Sequence, residues 1–252
     1  TSLIKMNDEQ NGMYIVSHTL ENKEVLYYKR KTAATKLSIE DFSEDTIKKL
    51  ASVLSEAEKT YGKDIYIIAD EPYRELVYTD GVVVPFVPNY YNNTIVCYSF
   101  SKSLSLPGER IGYVLVPNTA NDWQKVYFAV CGAGRALGYV CAPSLFQKIV
   151  PECIGKTADI SIYKKNRDLL CNALSEYGYK VVRPDGAFYL FVKALEEDSR
   201  AFCEKAKAHD LLIVASDSFG FPGYARISYC VSTAMIERAL PAFKALAEEY
   251  GK

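Results

Sequence analysis

The stretch "SFSKSLSLPGERIGY", residues 99–113, decides how this chain is read. It leaves the apolar run "TIVCYS" (94–99), passes through a polar turn and enters "RIGYVLV" (110–116). Both flanks have the short, nearly continuous apolar character of buried strands. Between them Lys102 is bracketed by the hydroxyls of Ser99 and Ser101. The guanidinium of Arg110 follows, beside Gly108 and Gly112. A lysine directly after a strand is ordinarily an exposed, idle charge. Small hydroxyls, main-chain N–H groups and an arginine together suit a dianionic phosphate. A lysine beside such a phosphate is placed to form an imine with an aldehyde.

Two further clusters lie on either side. Upstream, "ADEPYREL" (69–76) puts Asp70 at the end of the apolar segment "DIYIIA" (64–69), with Tyr73 three residues on. Ligands of open α/β sheets gather beyond the carboxyl ends of strands, so an acid there can face a site. The plainer reading of Asp70 is a cap for the following turn. Downstream, "SFGFPGYARISYC" (218–230) carries Arg226 within a strand-like run. By itself Arg226 reads as a surface arginine at a strand edge.

The rest of the chain frames these clusters. Residues 13–20 and 25–31 are β-rich and flank the polar turn "ENKE", which predicts a hairpin. Residues 43–61 switch to helical period, with Ile47, Leu50, Ala51, Leu54 and Ala57 as the apolar stripe. Ser43 is placed to cap this helix, Glu44 and Asp45 suit its positive end, and Gly62 ends it. Helical stretches follow at 120–134, 143–152 and 157–177, the last stopped by Gly178. Then "YKVVRP" and "AFYLFV" form adjacent strands across a Pro-Asp-Gly turn. A helix (197–209), strands at 211–215 and 225–230, and a helix at 232–249 complete the chain. This order predicts an α/β domain followed by a smaller α+β domain on a connecting helix. The segments are 1–42, an atypical hairpin-like start; 43–156, the larger domain portion; and 157–252, the small domain.

Composition excludes several classes. The chain has 252 residues, 49% hydrophobic and 24% charged, with a formal net charge of −1. It therefore has no global basic field for nucleic acid or anionic lipid. No apolar run reaches the length of a membrane span, and "TSLIKMNDEQNG" is too polar for a secretory leader. Seven cysteines without CxxC spacing, mostly in apolar contexts, predict reduced core thiols in a cytoplasmic protein. Two distant histidines, His18 and His209, argue against a histidine-rich metal site, and no metal is expected.

With all three clusters in order, the stretch from Ser99 to Gly112 resembles the pyridoxal-phosphate attachment site of class I and II aminotransferases, the aspartate aminotransferase family. "ADEPY" resembles that family's second signature, and the Arg226 segment its small-domain carboxylate grip. The resemblance covers roughly residues 43 to 252. It implies an α/β protein of PLP fold type I: a large-domain portion with a mainly parallel sheet, plus a smaller C-terminal α+β domain. It also implies pyridoxal 5'-phosphate held on Lys102 as a Schiff base, with the freed amine moving the proton at the substrate Cα. Asp70 would pair with the pyridine nitrogen, and Tyr73 would hydrogen-bond the ring 3-oxygen. Ser99, Ser101 and Arg110 would anchor the phosphate, and Arg226 would hold the substrate α-carboxylate. The implied reaction moves an amino group between an α-amino acid and a 2-oxo acid in a homodimer. Decarboxylation, elimination and condensation use the same lysine on this fold.

The resemblance stops short at the front. Family members are longer and carry an Asn-Pro-x-x-Pro-x-Gly type segment before the helix at 43. Here "TAATKLSIEDF" offers neither that asparagine nor that glycine. Residues 1–42 also lack a recognisable Gly-rich phosphate turn or ring-stacking aromatic. A truncated aminotransferase, a rearranged N-terminal segment, and a catalytically silent binding or assembly subunit are the readings this leaves.

Overall fold

A computed structural model describes the backbone of residues 13–18 and 23–28, and residues 44–252 except Thr79; Ser218 is described by its backbone alone. β1 (Met13–His18) and β2 (Lys23–Tyr28) pair antiparallel, Met13 opposite Tyr28 and His18 opposite Lys23. The chain divides into two compact units, one of Ile39–Ile160 and the other of Thr1–Ser38 with Ser161–Lys252, the first being the larger within residues 44–252.

The larger unit begins with α1 (Glu44–Tyr61), whose first turn carries Glu44 and Asp45, where carboxylates oppose the positive end of the helix dipole. Its stripe buries Ala51 and Leu54. They pack with Tyr91, and Leu50, Ile65 and Ile67 lie against that cluster. Gly62 ends the helix in left-handed backbone (φ 60°), its N–H donating to Glu58 O at 2.9 Å. Only glycine adopts that conformation without a Cβ penalty. The expected cap, Ser43, lies outside the described residues.

α1 supports a sheet of β3 (Ile67–Asp70), β4 (Thr94–Ser99) and β5 (Gly112–Leu115) in the order β3-β4-β5. β3 pairs parallel with β4, and β4 pairs antiparallel with β5. Over the described strands the sheet is therefore mixed, where a mainly parallel one was expected. A hydrogen bond across the loop of residues 100–111 accompanies the reversal. Phe100 N–H donates to Ile111 O at 3.1 Å, which closes the loop at its base and returns the chain beside β4 in the opposite sense.

Both outer strands are shorter than the periodicity predicts. β3 starts at Ile67 because Ile65 spends its N–H on Glu58 Oε1 (2.9 Å) and its carbonyl on Tyr91 Oη (2.6 Å). β5 starts at Gly112 because Arg110 has φ 53°, outside the strand region. The unit continues with α3 (Trp123–Ala136) and α4 (Ser144–Cys153), neither of which contains a buried residue.

In the smaller unit, α5 (Ser161–Glu176), α6 (Ser199–Lys207) and α7 (Thr233–Glu249) accompany a four-stranded sheet. The strands are β6 (Val181–Val182), β7 (Tyr189–Lys193), β8 (Val214–Ala215) and β9 (Tyr224–Ser228), in the order β6-β7-β9-β8. Every pairing is antiparallel, as an α+β unit requires. Period-two alternation sets its inner face: Leu190 and Val192 of β7 and Ala225 and Ile227 of β9 are buried. Helix residues Leu170, Leu174, Phe202 and Leu246 are buried with them. Asn166 on α5 is fully buried. It donates to Tyr229 O (3.1 Å) and Val231 O (2.7 Å) and accepts from Thr233 Oγ1 (2.8 Å). One side chain thus joins α5 to the end of β9 and the start of α7.

All seven cysteines are free, but only Cys171 and Cys203 are buried; Cys131, Cys141 and Cys230 are exposed. The expectation of core thiols holds for those two alone. Cys131 lies on α3, none of whose residues is buried. Among the described residues no helix is long and apolar enough to cross a membrane.

Candidate active site

The site grows from the end of β4. Ser99 keeps extended backbone (φ −138°, ψ 134°) and caps the single turn α2 (Phe100–Ser103), accepting from Ser101 N–H at 3.2 Å. The Ser99 and Ser101 hydroxyls lie 2.8 Å apart. Lys102 is the third residue of that turn. Its Nζ sits 5.6 Å from the centroid of the Tyr73 ring, within range for a cation–π contact. Ser99, Ser101, Lys102 and Tyr73 therefore lie near one another at the end of β4.

Asp70 ends β3 opposite Cys97 of β4, two residues before Ser99. Strand alternation puts Asp70, Cys97 and Ser99 on one face of the sheet. Burial raises the pKa of the Cys97 thiol, and the Asp70 charge adds to the shift, in keeping with that shared face. Gly112 sits across from Ser99 in the β4–β5 ladder. A Cβ there would lie 2.2 Å from Tyr98 O, so β5 passes this point only because residue 112 has no side chain.

Arg110 shares the loop, but its Nη1 donates to Pro107 O at 3.0 Å and its side chain is exposed. Arg226 belongs to the smaller unit. On β9 its guanidinium lies 4.4 Å from the Tyr189 ring centroid and 4.0 Å from that of Phe219. Those two rings were not singled out in the sequence. Tyr189 is separated from Arg226 by more than thirty residues of chain, so only the β7–β9 register joins them.

A second feature behind Lys102 was also missed. Tyr98 Oη lies 2.7 Å from Glu75 Oε2 and 2.8 Å from Ser103 Oγ, and Ser103 is only 2% exposed. Burial pushes the Tyr98 phenol up to about 12, so it stays protonated and donates to Glu75. A phenol has one proton, so Ser103 donates to it in turn. The signal was present: Tyr98 and Ser99 are adjacent in a period-two strand, so one faces the site and the other its support. Ser103 O also accepts from Ala158 N–H at 2.7 Å, a second hold on the lysine-bearing turn.

The family profile of aminotransferase class I and II matches residues 40–243. The chain belongs to that family. An aminotransferase crystal structure from Eubacterium rectale is 64% identical, with a TM-score of 0.78 over 83% of this chain and 52% of that one. A probable aspartate/prephenate aminotransferase of Aquifex aeolicus is 30% identical over 82% of this chain and 54% of its own length. A valine–pyruvate aminotransferase of Mycobacterium tuberculosis is 32% identical over 70% and 47%. The chain thus spans about half the length of the aminotransferases it matches. The fold is that of PLP fold type I aminotransferases, with an α/β unit carrying the lysine turn and a smaller α+β unit carrying Arg226.

Proposed function

We propose that this chain supplies the lysine-bearing part of a pyridoxal-phosphate-dependent aminotransferase that exchanges an amino group between an α-amino acid and a 2-oxo acid. The observation that carries this reading is the 5.6 Å between Lys102 Nζ and the Tyr73 ring, on a turn capped by Ser99. The donor set fits the cofactor in kind: an amine, a phenol, a strand-end carboxylate, two hydroxyls and a guanidinium. When bound, pyridoxal phosphate supplies an aldehyde for the amine and an electron-poor ring that stabilises negative charge at the substrate Cα.

Lys102 is the point of attachment, and its amine carries the proton to and from the substrate Cα. Asp70 keeps the ring nitrogen protonated, and Tyr73 donates to the ring 3-oxygen. Ser99, Ser101 and Arg110 take the phosphate. Arg226 takes the α-carboxylate through two parallel N–H groups, which a lysine cannot offer. Tyr189 and Phe219 support its guanidinium by their contacts with it. The similar proteins carry names with different substrates, so the reading stays with α-amino acids and 2-oxo acids as a class.

The test is covalent and does not need turnover. Pyridoxal phosphate is added, the protein is reduced with borohydride, and its peptides are mapped. The label is expected on Lys102 and absent from Lys102→Arg, which keeps the charge. A label on another lysine, or none on the wild-type chain, removes the assignment.

A further inference from the structure

Behind the lysine turn the larger unit holds a cavity of about 290 Å³. Register decides on which side of the sheet it lies. Tyr98 pairs with Tyr113 across β4 and β5, and Ser99 with Gly112. Strand alternation puts both tyrosines on the face opposite Asp70 and Ser99. Neither Lys102 nor Tyr73 lines the cavity. Its wall is largely apolar, with Phe100, Tyr113, Val150 and Ile154. The Tyr98 and Tyr113 rings stack with centroids 5.0 Å apart, and Phe100 stands T-shaped to Tyr98 at 5.2 Å.

Two opposite charges, Glu75 and Lys156, also line it. Glu75 Oε2 accepts from Tyr98 Oη at 2.7 Å, but among the described residues Oε1 accepts no hydrogen bond and the carboxylate has no ion pair. Burial and the Glu75 charge both raise the pKa of the Tyr113 phenol, which sets that charge beside the second ring as well. A half-buried carboxylate against aromatic rings keeps little of its hydration and favours a cation. Lys156 is exposed and is not paired with Glu75 or with any other described carboxylate. Ligand pockets run from about 300 Å³ upward, so this one suits a small molecule. A molecule with one charge leaves either Glu75 or Lys156 unpaired, whereas a zwitterion pairs both. We propose that the cavity binds a free α-amino acid with an apolar side chain. Its ammonium donates to Glu75 Oε1, its carboxylate takes Lys156, and its side chain lies against Phe100, Tyr113 and Val150. The inference uses none of the residues assigned to the cofactor or to Arg226.

Cys153 reports on occupancy, because it lines the cavity and is half-buried, while Cys131 is exposed and lies outside it. The whole chain, without pyridoxal phosphate, is alkylated with iodoacetamide, and each cysteine is followed by peptide mass spectrometry. L-Phenylalanine should slow Cys153 saturably, at least fivefold, and leave Cys131 unchanged. 2-Phenylethylamine lacks the carboxylate and 3-phenylpropanoate the ammonium, so each should need at least tenfold more for equal protection. Glu75→Gln, which keeps an acceptor for Tyr98, should raise the half-saturating phenylalanine concentration at least tenfold. Lys156→Gln, at an exposed position, should do the same for phenylalanine and leave 2-phenylethylamine unaffected. Arg226→Lys should protect as wild type does. No protection, equal slowing of Cys131, equal potency of the three compounds, or indifference to both cavity substitutions overturns the proposal. A Cys153 that does not react in the free chain means the cavity admits no small molecule, and overturns it too. So does protection lost in Arg226→Lys, which would trace the effect to the smaller unit. Because no cofactor is present, these outcomes are independent of where borohydride fixes a label.

Discussion

At the scale of single residues, Gly112 is the most constrained position near the lysine. Its backbone runs so close to β4 that a methyl group would meet Tyr98 O at 2.2 Å, with Ser99 Cα at 3.1 Å. Both atoms are main chain and cannot swing aside as a side-chain end would. Gly112→Ala must therefore push β5 away from β4 beside Ser99. Overpacking of this kind costs about 1–3 kcal/mol, and a urea titration should show a lowered midpoint. An unchanged midpoint would mean that the loop of residues 100–111 absorbs the displacement. Tyr98 and Ser103 show a related economy: two hydroxyls and the Glu75 carboxylate satisfy one another beneath the lysine turn.

At the scale of elements, the smaller unit depends on polar joints as well as apolar packing. Asn166 occupies a fully buried position on α5 and uses three hydrogen bonds to hold β9 and α7. Asn166→Ala would leave the Tyr229 and Val231 carbonyls without that donor and the Thr233 hydroxyl without its acceptor. Burying an unsatisfied polar group costs about 1–3 kcal/mol apiece, and water entering the vacated space would reduce the loss. Thermal unfolding should shift downward by more than for Ser232→Ala. The latter removes an ordinary helix cap, the 3.3 Å bond from Met235 N–H at the start of α7, worth about 1 kcal/mol. The reverse ranking would deny Asn166 its joining role.

For the whole molecule, acid is the condition that reaches both units. In the larger one, burial pushes the Glu58 carboxyl up, but hydrogen bonds from Ile65 N–H and the Asn93 amide outweigh it and its pKa is lowered. In the smaller one, burial raises Asp168, while Arg167, Lys164 and Arg183 outweigh it and lower its pKa. A carboxylate whose folded pKa lies below its unfolded value stabilises the fold above the unfolded pKa. That stability is lost as pH falls through the folded pKa. Wild type should therefore be more stable than Glu58→Gln at neutral pH. The gap should close on acidification below the ordinary carboxylate range. Urea midpoints across that range check the sign, and a gap that widens toward acid would contradict it.

Much of this was legible in the sequence because it is local. The apolar runs at 94–99 and 110–116 marked β4 and β5, and the hydroxyls around Lys102 marked the turn between them. The stripe through Ala51 and Leu54 gave α1 its buried side, and alternation in "AFYLFV" gave β7 its inner face. Periodicity encodes an element and the face it buries, since both arise from neighbouring residues on one backbone. Strand direction is different, because ladder partners are not neighbours in sequence. The antiparallel return of β5 is accompanied by a closure between Phe100 and Ile111. The approach of Lys102 to Tyr73, and of Arg226 to Tyr189 and Phe219, comes from segments packed side by side. The exposure of Cys131 and of Ile68 depends on what packs over them. The sequence by itself determined the elements, their inner faces and the residues of the lysine turn. Only tertiary structure decided strand direction, which side chains meet, and which stay exposed, because each is a relation between segments that no local pattern contains.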